Sequence, residues 1–235
     1  MAVYPLALPA GPLVQGQQGF DPQYLNYSSP EAGGRIGGVS AGNPLWIGTW
    51  SLDRVDLEDG SAVRAFLDRQ RDGQRTFLGR DLLRPFPLAY ARGFAGMVRA
   101  GGGAFSGAAT NWTQAISSEG DATLTIYGLP AGFALAVGDY IGFKWDAAGA
   151  PAGSFTRRTL ARAVVAATAN GAGTISVLAE PPLPTLTVVP AIAVAHFDEP
   201  ACVMKLVPGE SKAGVTGRGL AQSGLSITAI QELRE

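Results

Sequence analysis

Apolar residues alternate with small or polar residues along the middle of the chain, in short runs that turn residues interrupt. Phe133, Leu135 and Val137 follow one such alternation, and an aromatic-rich run comes after it. The Gly-Asp pair at 138–139, between the two runs, is typical of a tight turn. Because side chains alternate between the faces of a strand, residues 133–145 are predicted to form a strand, a corner and a second strand.

The same pattern continues towards residue 206. Two further β-rich runs are joined by Asn-Gly-Ala-Gly at 170–173, a connection typical of a hairpin, and a last strand is predicted within residues 191–206. Together these runs predict a compact β-domain over residues 121–207. We expect roughly five or six short strands in it, arranged as a small barrel or sandwich.

The first 45 residues contain many turn formers, among them the Gly-Gly pairs at 33–34 and 37–38. They predict an extended arm or an irregular pair of strands that needs a neighbour to pack on. A regular strand follows, in which alternate residues share one face. Two tryptophans on that face predict a surface that is buried in the chain or in an interface. The residues of this face are Trp46, Gly48, Trp50 and Leu52.

One helix is predicted over residues 61–71. Ser61 is suited to the N-cap, and Gly73 stands where a helix commonly stops. Three apolar residues at helical spacing predict that one face packs on a sheet. These residues are Val63, Phe66 and Leu67.

The remaining segments complete the predicted domain organisation. Pro85 and Pro87 argue against a central strand, and residues 93–120 are glycine-rich enough to predict a linker or a loop in a lumen. Alternating residues near the C-terminus predict a strand that returns to the first domain. We therefore predict a mainly β protein in which residues 1–120, completed by 208–235, form a β-sandwich-like domain with one short helix.

Composition narrows the classes of partner. The chain has 235 residues, of which 46% are hydrophobic, so it is able to bury a core as one large or two small domains. Only 16% are charged and the net charge is −1, which predicts no broad electrostatic surface for nucleic acid or a membrane. The 32 glycines and 16 prolines favour a turn-rich β architecture with little helix.

The sequence gives little indication of a secretory signal, a membrane-spanning helix or a disulfide. The N-terminal segment has no basic region, and Pro5 and Pro9 interrupt its apolar residues, so we expect synthesis in the cytoplasm without a secretory signal. No apolar run approaches the ~18 residues of a spanning helix. Cys202 is the only cysteine, so stability is expected from packing or assembly and not from an internal disulfide.

Two residues are candidates for catalysis. Ser40 lies in a G-x-S-x-G sequence, which marks a nucleophile elbow only between a strand and a helix. Asn43-Pro44 follows directly, and His196 precedes its nearest acid, Asp198, which reverses the hydrolase order. We interpret the serine segment as a turn and His196 as a structural histidine near a strand end, with Asp198 on the same strand face. We therefore predict no catalytic residue and no enzyme activity.

No cofactor or metal site is predicted. One histidine and one cysteine cannot supply a zinc set, and Cys202 is expected to be a small buried residue. The acidic run that ends in Gly60 does not align as a calcium loop, because Val55 and Phe66 would occupy the first and twelfth positions. Residues 101–107 lack a P-loop lysine and are expected to be flexible. A glycosidase pair of carboxylates stays open, although the acids do not cluster on strands expected to share a cleft. The acidic run that was compared with a calcium loop consists of Asp53, Asp56, Glu58 and Asp59.

The order of these elements resembles that of distal tail proteins, structural proteins at the tail tip of long-tailed bacteriophages. The segments that carry the resemblance begin with WIGTWSLDRV and SAVRAFLDRQRDGQRTFLGRD in the first half of the chain. LPAGFALAVGDYIGF, RTLARAVVAATANGAGTISVLAEPPLP and PACVMKL follow in the second half, so that the likeness spans most of the chain. Ala100 to Ala109 is a departure from the family's pattern, as is Pro184.

The resemblance implies a homohexameric ring that joins the tail tube to the hub or baseplate and lines the DNA channel. It implies the tube, hub and tape-measure proteins as partners and the virion as the location. The domain at 121–207 would be inserted, outside the ring, with an attachment role. The alternative is a carbohydrate-binding module of a tail or adhesion apparatus, which would require Tyr140, Phe143 and Trp145 to form an exposed platform for a host surface sugar.

Overall fold

Strands are the main regular structure of the protein, with 43% of residues against 10% in helices, so it is mainly β as the sequence predicts. The structure is a computed structural model that describes residues 4–30, 33–184, 188–217 and 221–233. Both predicted domains include residues that fall between or beyond these ranges, and for those residues the predictions lie outside the described part of the chain. In chain order the strands are β1 (Leu6–Ala7), β2 (Gln17–Gln23), β3 (Asn26–Pro30), β4 (Ile36–Ser40), β5 (Leu45–Asp56), β6 (Phe77–Gly79), β7 (Asn111–Ile116), β8 (Ala122–Tyr127), β9 (Ala134–Leu135), β10 (Tyr140–Trp145), β11 (Arg157–Ala163), β12 (Ala167–Thr168), β13 (Ile175–Glu180), β14 (Val194–His196), β15 (Cys202–Leu206), β16 (Lys212–Thr216) and β17 (Ala221–Gln231).

Both ends of the chain build the first sheet. Its strands follow the order β1-β6-β15-β17-β5-β2, and β16 pairs with the remaining length of β17. The C-terminal strand β17 lies antiparallel to β5, with Ile227 opposite Trp50. This pairing confirms the prediction that the C-terminal strand returns to the first region of the chain.

A short helix, α1 (Ala10–Leu13), and a longer one, α2 (Leu57–Gln70), accompany the first sheet. Val63 and Phe66 of α2 are buried, and the Phe66 ring meets Phe77 of β6 edge-on at 5.2 Å between centroids. The predicted apolar face is therefore confirmed at these two positions.

The predicted start of this helix was wrong. It begins four residues before Ser61, because the Asp56 carboxylate accepts a hydrogen bond from the Asp59 amide at 2.8 Å and caps the first turn. The acidic residues that we tested as a calcium loop therefore include the cap of the helix. At the other end the chain leaves the helix at Arg71, which adopts the left-handed conformation, before it reaches Gly73.

The second sheet has the strand order β14-β10-β11-β13-β8-β7. Residues 93–120, predicted to be a loose linker, contribute β7 and bury Phe94, Phe105 and Trp112 in the core of this sheet. The aromatic residues anchor the segment in spite of its glycines. At Gly107, where φ is +92°, a Cβ atom would lie 2.7 Å from the Phe94 ring, so glycine permits both the turn and the close packing.

The last predicted strand, within residues 191–206, is two strands in different sheets. β14 pairs with β10 in the second sheet, whereas β15 lies between β6 and β17 in the first. The chain changes sheet at Glu199, whose φ is +43°, and Pro200 follows, which has no amide hydrogen for a ladder. The sheets and the predicted domain boundaries therefore divide the chain at different places, and the two-domain organisation stays a prediction.

The two sheets share a buried junction. Tyr140 and Leu160 of the second sheet pack in the core of the first, and the Trp46 indole donates to the Leu160 carbonyl at 3.1 Å. The Gln231 amide donates to the Thr159 hydroxyl at 2.8 Å. Strands of both sheets are therefore tied together by packing and by buried hydrogen bonds.

Candidate functional site

The β3–β4 hairpin is the most exposed regular element of the described chain. Its strands pair only with each other in that part of the chain, with Tyr27 opposite Val39. Tyr27 is 74% exposed, Val39 70% and Ile36, near the turn, 78%. Neither strand contains a charged residue. Native sheet edges are normally blunted by charge, and a lone two-stranded hairpin is marginal in water, so an uncharged and exposed hairpin is unusual and is a candidate functional site.

Only part of the predicted N-terminal arm is unsupported within the single chain. β2 runs along β5 as the edge strand of the first sheet, and Phe20 of β2 is buried against Trp46. At the base of the hairpin, the Tyr24 hydroxyl donates to the Glu180 carboxylate at 3.1 Å. The prediction of a strand pair that lacks packing neighbours therefore describes β3 and β4, and it does not describe β2.

The tryptophan face of β5 is buried inside the chain. Trp46 and Trp50 have no exposed surface, and Gly48 and Leu52 on the same face are also buried. The sequence is compatible with burial in the chain or in an interface, and the structure shows burial in the chain. These tryptophans therefore leave no apolar surface for a neighbouring subunit.

The predicted turn at Ser40 lacks the context of a nucleophile elbow. Ser40 ends β4, and its hydroxyl donates to the Gly42 carbonyl at 3.2 Å. A bend follows, and not the helix that an elbow requires. His196 lies in β14 of the second sheet, so the two candidate residues belong to different sheets.

His196 is buried and fixed in one orientation. Its Nδ1 donates to the backbone carbonyl of Asp198 at 2.9 Å, so the predicted contact involves the main chain and not the carboxylate. Nε2 has no hydrogen-bond partner in the described chain and packs on Gly142, where a Cβ atom would approach it to 2.5 Å. Burial lowers the pKa of His196 to about 3, and the positive charge of Lys144 acts in the same direction. A neutral, enclosed imidazole fits the predicted structural role.

Cys202 is fully buried in β15, as predicted, and burial raises the pKa of its thiol. Within the ranges that the structure describes, no three histidine, cysteine or acidic side chains form a group that could hold a metal ion.

The aromatic platform required by the sugar-binding alternative is not formed. Tyr140, Phe143 and Trp145 are all buried, Phe143 completely. The Tyr140 hydroxyl donates to the carboxylate of Asp81 at 3.2 Å, and Phe143 packs edge-on against Trp112. These residues stabilise the core and are not available to stack on a ligand.

A groove elsewhere on the surface is open to solvent and has aromatic residues in its wall. The groove, of about 710 Å³, lies beside the loop of residues 93–107, which includes the glycine-rich segment that we expected to be flexible. Phe86 is half-buried in its wall, and Phe94 and Phe105 form its deeper side. The only charged side chains in the lining are Arg92 and Asp198.

A smaller cleft of about 270 Å³ lies between the two sheets and has a mostly charged lining. Lys144 of β10 and Arg158 of β11 face each other there as cross-strand partners. Arg80 and Glu199, on the opposite wall, form an ion pair at 2.7 Å. The residues that line the cleft are Ala7, Leu8, Leu78, Arg80, Lys144, Arg158, Asp198, Glu199 and Ala201.

Sequence reasoning identified neither the groove nor the cleft. Both bring together residues that are far apart in the chain. The alternating patterns of β10 and β11 indicate on which strand face Lys144 and Arg158 lie, but not that the two residues are cross-strand partners. The hairpin lies within residues 1–45, whose turn formers predict an extended arm or an irregular strand pair that needs a neighbour to pack on.

Comparison with known proteins adds no assignment. No protein-family model matches the sequence, and no curated protein matches it significantly. In the described part of the chain, no helix is both long enough and apolar enough to cross a membrane. The resemblance to distal tail proteins rests on the order of elements in this sequence alone.

Proposed function

We propose that this chain is a structural protein of a bacteriophage tail tip, similar to distal tail proteins, that assembles into a ring of identical subunits. The observation that carries the proposal is the return of β17 to β5, so that both ends of the chain build one sheet while the middle builds another. The resemblance implies this arrangement of a ring-forming region with an inserted β-region.

The β3–β4 hairpin is the contact through which we propose that the ring forms. Its apolar side chains are uncovered in the single chain, and its strands carry no charge that would oppose burial. A net charge of −1 adds little repulsion between copies. When a projecting element packs on a different surface of the next copy, the contact is head-to-tail, and such contacts form a ring when the rotation between copies closes.

In this role the ring joins the tail tube to the hub or baseplate, encloses the channel for DNA and works with the tape-measure protein. The chain acts in the virion and has no catalytic role. The separation of Ser40 from His196 and the low pKa of that buried histidine support the second part of this proposal.

Negative-stain electron microscopy of the purified full chain tests the proposal. We expect rings, and we expect a triple hairpin variant, Tyr27→Ser with Ile36→Ser and Val39→Ser, to give single subunits. The matched control replaces three other exposed apolar residues, Val137, Ile192 and Val215, by serine and should keep the rings. Single subunits for the unmodified chain, or rings for the hairpin variant, would contradict the proposed assembly.

A second candidate function is carbohydrate binding, now placed in the groove beside Phe86. The observation that favours it is a half-buried phenylalanine in the wall of an open groove, next to an arginine and an aspartate, since sugars stack on aromatic faces and hydrogen-bond to charged groups. A glycan array probed with the full chain tests it. Binding that Phe86→Ala removes and Ile192→Ala preserves would support the candidate, and binding that both variants retain would refute it.

A further inference from the structure

The charged cleft between the sheets places two cations side by side. Lys144 and Arg158 are directly opposite in the β10–β11 register, and like charges at such positions destabilise a sheet. Both side chains are partly buried, and burial lowers the pKa of each. The pair therefore has an energetic cost that a bound anion would offset.

Both cations make side-chain contacts with Phe155 in the described ranges. Lys144 Nζ lies over the Phe155 ring, 4.7 Å from its centroid, and Arg158 Nε donates to the Phe155 carbonyl at 3.2 Å. In the described ranges, neither cation has a carboxylate oxygen within 4 Å. Their fixed positions leave room for an additional acceptor.

The acids of the cleft do not neutralise it. Glu199 is engaged by Arg80 at 2.7 Å. Asp198, the other acid of the lining, is exposed to solvent and makes no ion pair within 4 Å in the described ranges. With three basic and two acidic side chains in its lining, the cleft keeps an excess of one positive charge.

We propose that this cleft binds a small oxyanion of the phosphate or sulfate class between Lys144 and Arg158. An arginine fork and a lysine ammonium together offer charge-assisted hydrogen bonds to tetrahedral oxygens. The cleft volume, about 270 Å³, accommodates such an ion with several waters, since one water occupies about 30 Å³ in the liquid. Because Arg80 extends from the end of β6, the ion would also lie against the first sheet. This inference is independent of the proposed ring.

Calorimetric titration of the full chain with inorganic phosphate, against chloride at equal ionic strength, tests the site. We expect saturable binding that Lys144→Gln and Arg158→Gln each weaken about tenfold or more, through loss of a charged hydrogen bond. Lys212→Gln removes one exposed lysine from β16 and is the matched control, with unchanged affinity. Glycerol phosphate, titrated in parallel, distinguishes a free ion from a phosphate carried on a larger molecule.

A variant that is expected to bind phosphate more tightly completes the test, because misfolding alone would weaken binding and would not strengthen it. Asp198→Asn removes an exposed negative charge from the cleft and should tighten phosphate binding several-fold. No saturable binding by the unmodified chain would overturn the proposal. Equal affinity in the Lys144, Arg158 and Lys212 variants would also overturn it, because the ion would then bind elsewhere. An Asp198→Asn variant that binds phosphate no more tightly than the unmodified chain would overturn it as well.

Discussion

The tryptophan strand β5 and the β3–β4 hairpin are neighbours in the chain and opposites in their surroundings. Trp46 and Trp50 have no exposed surface, and both indoles donate hydrogen bonds to backbone carbonyls within the chain. Tyr27 and Val39, fewer than 25 residues away in sequence, are more than two-thirds exposed. Large apolar residues thus have contrasting roles in the two segments: those of β5 form the core, and those of the hairpin remain uncovered.

The contrast locates the surface that assembly would use. A cluster of tryptophans in a sequence is compatible with an interface, but here the rings of Phe20, Tyr140 and Phe77 already pack on it. Among the described strands, those of the hairpin pair only with each other. The comparison predicts that changes in β5 alter folding, whereas changes in the hairpin alter association.

Trp50→Ala should have the largest effect on stability. Removal of a fully buried indole leaves a cavity and an unpaired Arg80 carbonyl, and we expect the free energy of unfolding to fall by about 3–5 kcal/mol. Urea denaturation measures the change. Tyr27→Ala removes an aromatic ring of similar size from the hairpin and should cost less than about 0.5 kcal/mol in the single chain. Equal losses at the two positions would contradict the comparison.

Acid should destabilise the core through His196, which lies in the second sheet. Its pKa is about 3 when folded against about 6.5 when unfolded, so the unfolded chain binds more protons as the pH falls below 6.5. Between pH 7 and 5 this histidine should lower the free energy of unfolding by about 2 kcal/mol.

The difference in pH dependence between the native chain and His196→Gln isolates this contribution. Asp139 and Asp198, whose pKa values burial raises, act in the opposite direction, but they are present in both proteins. Stability that falls equally steeply in both would show that His196 titrates normally.

Asp56→Ala should have an intermediate effect on the helix that covers the first sheet. Loss of the side-chain cap leaves the Asp59 amide without its acceptor and should cost about 1 kcal/mol, measured by urea denaturation. Asp53→Ala removes an exposed acid from the neighbouring β5 and should change stability by less than about 0.5 kcal/mol. If both variants lose the same stability, Asp56 does not act as a cap.

The triple serine variant of Tyr27, Ile36 and Val39 should have the smallest effect on the stability of the single chain. These side chains are already exposed, so their removal should change the free energy of unfolding by less than about 0.5 kcal/mol. Denaturation in dilute solution, where the subunits are separate, measures it. A loss of several kcal/mol would show that the hairpin supports the fold of its own chain.

Local patterns in the sequence predicted local structure well. The alternation before and after Gly138 predicted β10 as a strand, and the face shared by Trp46 and Trp50 was identified because period-two spacing depends only on neighbouring residues. The helix was recognised from its apolar spacing, but its start was not. The first turn contains the acids Glu58 and Asp59, which suit a helix N-terminus but add nothing to the apolar pattern from which the helix was recognised. Gly60 follows them, and it fits in the helix because the Gln222 side chain fills the space where a side chain at this position would lie.

The pairing of strands could not be predicted in the same way. Nothing in the residues of β15 states that its partners are β6 and β17, because such partners are fixed by packing between distant segments. For the same reason the glycine-rich stretch before β7 was read as loose, although Phe94, Phe105 and Trp112 pack in one core. The charged cleft depends on the β10–β11 register and on the end of β6, so no single stretch of sequence contains it.

The mass of the purified full chain in solution, measured by light scattering, tests the central claim most directly. Assembly through the exposed hairpin into the ring implied by the resemblance predicts a particle about six times the 24.2 kDa of one chain. A mass of 24.2 kDa at every concentration examined would contradict it and would leave the hairpin to some other partner.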